Sequence, residues 1–533
     1  MKRALILVLV LAFNVAAQES QLGRVEFPTS GSKEAQTHFL RGLAALHSFW
    51  YEEALEAFRE STKVDPDFAM GYWGEAMTYN HPLWSEQDIA AARQVLTKIK
   101  DSAKMTERER AYIAAVRLLY GEGEKPARDA AYSAQMEKVY RAYPEDLDAA
   151  AFYSLSLLGM AGGGKGYRLQ AKAGAIALEV YQKNPNHPGA AHYIIHAFDD
   201  PDHAILALPA ARRYASIAPE AHHARHMPSH IFLQLGMWPE AAASNEAAWE
   251  SSDAWMKRKN LSLSVRDYHS LHWLLYAYLQ QGRYNDAEKL LKLMKKVMSE
   301  STYDNKLRPG YYENNYANMA AAFVVETERW NLAGELFPEN KPASTSEQAT
   351  MSGSHGSHNA MPSGAILRTS SASVTLPFFI RGLAAAMNGA TTEPIPNAAN
   401  SMIFEIEIAA LSASMKKDHA KAIELMKKAT ALEESVTAPY GPPGLIKPSH
   451  ELFGEILLRA GKPAEAAEMF KVALQRQPNR ARSLLGAARA AAQCGLQSSA
   501  LSAYSALMDQ WKQADPDLVE LREARDYLKQ AKR

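Results

Sequence analysis

The chain has 533 residues, too many for one ordinary core, so several domains or an extended array are expected. Lys+Arg and Asp+Glu both number 59, and this zero formal charge gives no electrostatic footprint for nucleic acid or an anionic membrane surface. A single cysteine, Cys494, excludes an internal disulfide and the thiolate sets of most structural zinc sites, leaving His and Met as soft or borderline ligands.

Residues 1–17 read as a signal peptide. Lys2 and Arg3 precede the apolar run Ala4 to Phe13, and Val15-Ala16-Ala17 is a small-residue cleavage pattern before Gln18. The run is short for a membrane span, so a periplasmic or secreted product with no transmembrane segment after cleavage is expected. From there to residue 340 the sequence shows Ala-rich helical periodicity rather than strand-like alternation. Gly42, Tyr51, Ala54, Phe58 and Pro66 give residues 35–68 a pattern that resembles one tetratricopeptide-repeat unit. The following YWGEAMTYNHPLW carries Trp73, Glu75 and His81, and His81 is a further candidate for the site described next.

Eight of the 17 histidines fall between His187 and His230. His192/His196 and His226/His230 are i,i+4 pairs, and each member of the second pair lies 34 residues after its counterpart (226 − 192 = 34; 230 − 196 = 34). Pro185 and Pro219 share the offset. Residues i and i+4 are neighbours on one helix face, so each pair can grip a metal ion. Adjacent helices lie roughly 8–10 Å apart, so two pairs on neighbouring helices can close on one ion. Six histidines from three helices, with His269 and His272 added, can instead hold two. Asp199, Asp200 and Asp202 follow the first pair. They are either carboxylates that orient metal-bound imidazoles or, more simply, a turn before Pro201 and a helix cap.

Further units are marked by Gly236/Ala241, Gly282/Tyr284/Ala287, Trp330/Ala333 and His419/Ala422. Residues 341–375, rich in Ser, Thr, Gly and Ala, read as a flexible insertion. It holds Met351, His355, His358 and Met361, a donor mix that suits copper. The array resumes over 376–533. GPPGLIKPSHELFGEILL is a stiff loop entering a repeat, and residues 447–480 and 481–514 are two units in register.

This 34-residue pattern resembles the tetratricopeptide-repeat superfamily. The resemblance implies an all-α solenoid, a right-handed superhelix of antiparallel helix pairs whose first helices line a concave groove. With units starting at Pro188, His222 and Tyr268, the family frame turns His192, His196, His223, His226, His230, His269 and His272 toward that groove. The strings NHPGAAHYIIHAFDDPDHA, HMPSHIFLQLGMW and GPPGLIKPSHELFGEILL resemble a recurrent group of exported bacterial tetratricopeptide proteins. That likeness implies architecture and groove orientation, not a reaction.

The expected function is an exported repeat protein with a polyhistidine copper or zinc site in its groove, either a metal-dependent oxidoreductase or a metal carrier. Metal affinity should fall as pH drops through about 6.5, the ordinary imidazole pKa. The alternative is a scaffold that binds a peptide or partner protein in the groove without catalysis, the histidines then forming a hydrogen-bonded pocket. No HExxH, Ser-His-Asp motif, phosphate-binding loop or dinucleotide fingerprint occurs.

Overall fold

The computed structural model describes residues 21–161, 167–299, 310–338, 372–391, 394–396, 401–436 and 440–531. The expected signal peptide, 1–17, lies outside them, as does 341–371 of the expected insertion. Residues 372–375 form the first turn of a helix, Ala372–Met387.

The described chain is an all-α solenoid of successive helix pairs. The sole paired strands among the described residues are Asn80–His81 and Glu86–Gln87, an antiparallel ribbon two residues long. No described helix is long and apolar enough to cross a membrane.

The repeat chemistry can be followed atom by atom. Lys33–His47 and Tyr51–Val64 form the first pair. A Cβ on Gly42 would lie 2.9 Å from the Phe58 ring, and one on Gly74 of the next unit 2.3 Å from it. Phe58 therefore fills a slot that exists because both crossings are glycine. Phe470 repeats the device between Gly454 and Gly486, at 2.7 and 2.2 Å. A helix pair cannot bury its apolar face alone, and this interlock carries the core from unit to unit.

The array does not simply run on, however. In an open solenoid each repeat touches only its neighbours. Here the C-terminal units fold back onto the middle of the chain. Trp238 Nε1 donates to the Asn479 carbonyl at 2.8 Å, Ala481 N to Gln280 Oε1 at 2.9 Å, and Asp515 N to the Gly282 carbonyl at 3.0 Å. At the seam Arg480 is fully buried, 2.6 Å from Glu326 and 2.8 Å from Glu451, and donates to Tyr276 Oη at 2.7 Å. Phe232, Trp238 and Leu275 share one continuous core with Phe453 and Phe470.

Candidate metal centre

The three helices expected to start at Pro188, His222 and Tyr268 begin at those residues. Pro188 opens Pro188–Ala197, where its missing N–H is harmless, and His187 caps it by accepting from Ala190 N at 3.2 Å. Asp267 caps Tyr268–Gln280 by accepting from Ser270 N at 3.0 Å. The middle helix is broken into His222–His226 and Pro228–Gln234, because Pro228 cannot donate to the ladder.

The seven histidines do not surround one point. One ring nitrogen from each of His192, His196 and His223 lies within 4.8 Å of the others, and the same holds for His226, His230 and His269. The two sets adjoin, with ring centroids 5.7 Å apart for His196–His230 and 5.9 Å for His223–His226. His272 is buried in the same helix as His269 but belongs to neither set.

Hydrogen bonds fix the tautomers. His192 Nδ1–H donates to the His47 carbonyl at 2.7 Å, His226 Nδ1–H to Asn245 Oδ1 at 2.7 Å, and His230 Nδ1–H to Asp199 at 2.6 Å. Asn245 is oriented by its own N–H donating to the Ala241 carbonyl at 2.8 Å. With its proton on Nδ1, each neutral ring presents an Nε2 lone pair, the ligating form. His226 Nε2 and His230 Nε2 stand 3.1 Å apart, and His192 Nε2 and His196 Nε2 3.0 Å. The Nε2 of His223 is buried without a hydrogen-bond partner.

Burial keeps His192, His196, His223, His226 and His272 neutral. It pushes His192 and His226 down to about 3 and His272 to about 4, and holds His196 and His223 well below the ordinary range. For His192, His196, His223 and His226 the expectation of protonation near pH 6.5 is therefore corrected: these desolvated rings resist protons to lower pH. The unfolded chain takes those protons near 6.5 and the native state does not, so stability falls as pH drops below 6.5. Each such histidine contributes a slope of about 1.4 kcal/mol per pH unit down to its folded pKa. Urea melts of metal-free protein should show the midpoint dropping steeply between pH 6.5 and 4.5. A flat profile there would contradict buried neutral imidazoles.

Aromatic rings wall the site. Phe49 has φ +52°, a left-handed backbone that a bulky residue adopts at a cost of about 1–3 kcal/mol. That backbone places its ring 4.3 Å from His192, 5.9 Å from His196 and 5.7 Å from His223. Trp273 packs 4.3 Å from His230 and 4.9 Å from His226, backed by Gly441 of the proline-stiffened loop. His196, His223 and His269 are half-buried and form the open side, whereas His192 and His226 are sealed.

The other singled-out residues divide. Asp199 is the carboxylate on His230, while Asp200 makes the turn, accepting from Asp202 N and His203 N at 3.0 and 3.1 Å. His81 pairs with Glu86 at 3.2 Å and stacks on Tyr51 at 3.9 Å, outside both sets. Trp73 is in the core. Glu75 pairs with Arg59, Lys447 with Glu451 and Glu455, and His450 with Glu433 and Glu434. His47 orients His192 through its carbonyl. Its ring is buried between Asp148 at 2.8 Å and Tyr193 Oη at 2.9 Å. His47, Asp148 and His187 also converge, yet His187 Nδ1 accepts from Ala190 N, which puts its proton on Nε2 and removes the lone pair a metal needs. That trio is a buried polar cluster of the core, with Asp148 bonded to His47 at 2.8 Å and 3.4 Å from His187 Nε2.

Residues 35–68 match the tetratricopeptide repeat family, so the chain carries that repeat. No curated protein matches the sequence. Solved structures similar to it include the APC/C hetero-tetramer Cut9-Hcn1, with 10% identity, 93% of this chain and 76% of the other covered, and TM-score 0.34. The P58(IPK) TPR domain gives 13% identity, 94% and 99% coverage, and TM-score 0.19. Yeast Tom70 gives 11% identity, 94% and 89% coverage, and TM-score 0.24.

Proposed function

We propose that this repeat scaffold holds two metal ions, one on each set of three imidazoles, that the metal is copper, and that the protein is an exported metal-dependent oxidoreductase. The observation that carries this reading is the His226–His230 contact. Both Nδ1 atoms are engaged elsewhere, so in the neutral rings two Nε2 lone pairs face each other at 3.1 Å. Such an arrangement is repulsive until a cation lies between or beside them.

The donor set supports copper over the alternatives. Imidazole suits Cu, Zn, Fe and Ni, but none of the six ligands is a carboxylate, unlike the carboxylate-rich di-iron sites. Neutral donors in a buried site favour ions of low charge, because burying charge is costly. Cuprous ions meet that condition. Zinc would bring twice the charge per ion. Two copper ions held by these imidazoles would supply a two-electron couple, suited to removal of two electrons and two protons from a substrate with dioxygen taking them up as hydrogen peroxide. The chain's residues keep the imidazoles neutral, hold them through His47, Asn245 and Asp199, and exclude bulk water from His192 and His226. The half-buried His196, His223 and His269 leave a side for a small reactant. A carrier must release its ion, and the buried His226 and His230, held through Asn245 and Asp199, argue against that role for the ion they bind. Export is supported by the pattern of residues 1–17.

The test is metal analysis of untagged protein purified from the periplasm. About two copper per chain is expected from the two sets. Trace metal only would remove the reading, and zinc at that stoichiometry would remove copper and its redox chemistry.

A further inference from the structure

The two sets differ in what stands behind them. His230 is backed by a carboxylate, Asp199 at 2.6 Å, whose other oxygen is braced by Gln234 Nε2 at 3.2 Å. Asp267 caps the helix that carries His269 and pairs with His222 at 3.1 Å; its charge reaches His226 and His269 and also His223, so the inequality between the sets rests on Asp199. Among the described residues no carboxylate hydrogen-bonds to His192, His196 or His223, and His192 donates to a neutral carbonyl. Exposure differs too. Two of the three rings in the first set, His196 and His223, are half-buried, against only His269 in the second.

Resting on the two-ion reading above, we propose that the sets are electrostatically unequal and load in order. The carboxylate-backed His226/His230/His269 set takes the first ion and keeps it. The His192/His196/His223 set takes a second, weaker and exchangeable one. The physical basis is twofold. An Nδ1–H held by an anion leaves Nε2 more electron-rich than one held by a carbonyl, which strengthens its bond to a cation. The nearby negative charge also offsets the cost of placing a cation in a desolvated site. Asp199 is therefore a positioning residue that acts through His230, and the first set is where an ion can enter, leave or present its open side.

The experiment titrates metal-free, full-length protein with Co(II) alone, reading the visible absorption of the bound ion against a competing chelator. Two phases are expected, separated by at least about tenfold in affinity. His196→Ala should keep the tight phase and lose the weak one, and His269→Ala should do the reverse. Asp199→Asn should weaken the tight phase by roughly 10–100-fold and leave the weak phase in place. Circular dichroism reports whether each variant keeps its helices. His196→Ala and His269→Ala fix the order even where Asp199→Asn does not fold. Two equal phases, a tight phase that survives His269→Ala, or a folded Asp199→Asn with both phases unmoved would overturn the proposal. Wild-type protein that binds no Co(II) would instead overturn the two-ion reading, and this inference with it.

Discussion

Replacing Arg480 with Ala is expected to cost the fold about 3–5 kcal/mol. Its guanidinium is fully buried between Glu326 and Glu451 and also donates to Tyr276. The substitution would leave two carboxylates in the interior without their main counter-charge. Despite its burial, the Glu451 carboxyl is held down to about 2, chiefly by Arg480 and then by Lys447. Without Arg480 the nearest remaining cation to Glu451 is Lys447, at 2.9 Å. Burial already raises Glu326 above the ordinary carboxylate range, so the variant's deficit relative to wild type should shrink as pH falls and that group takes a proton. Denaturant melts at pH 7 and pH 5 measure both effects. An unchanged midpoint at pH 7 would show that the seam does not depend on this cluster.

Replacing His192 and His226 together with Ala is expected to remove both ions. The pair takes one ligand from each set, and two remaining imidazoles hold a metal far less well than three. The His47 carbonyl and the Asn245 amide oxygen each lose a donor, at about 1–3 kcal/mol apiece, so some loss of stability accompanies loss of metal while the helices remain. His272→Ala is the matched control: a buried histidine of the same neighbourhood, in neither set, whose removal should leave the metal content unchanged. Metal analysis and circular dichroism on the two variants decide the matter. A double variant that retains two ions would show that the imidazoles are not the ligands.

Much of this arrangement can be read from the residues. The 34-residue offset, the i,i+4 pairs and the starts at Pro188, His222 and Tyr268 come from periodicity and proline placement, which are local. The partition into two sets is not local. His223 and His226 sit three residues apart on one short helix yet belong to different sets, because what decides membership is which neighbouring helix each ring meets. Sequence spacing names neighbours on one helix and is silent across helices. The same holds for the residues behind the ligands. Asn245 is 19 residues from His226 and His47 is 145 from His192, and neither carries a motif. Phe49 looks like an ordinary core aromatic, and its left-handed backbone has no glycine to announce it. Burial, finally, is a property of the assembled array, so an imidazole pKa taken from the free side chain misplaces the acid limb.

The return of the C-terminal units onto Gly236, Gln280 and Gly282 sets a rule for how this chain can change length. An open array can gain or lose a repeat, since the added unit merely lengthens the stack. Here Gly236 is pressed so close to Pro478 that a Cβ would stand 2.4 Å from its carbonyl oxygen, and Asp515 must still meet Gly282. One extra helix pair between those points would carry the far end past its partner, so the number of units enclosed by the seam is locked. The stretch before Gly236 is tied in the same way, Arg24 N to the Asn186 carbonyl at 2.9 Å and His192 to the His47 carbonyl at 2.7 Å, so growth and loss of whole repeats are left to the end after Asp515, and what lies before it must keep its count to keep its closure.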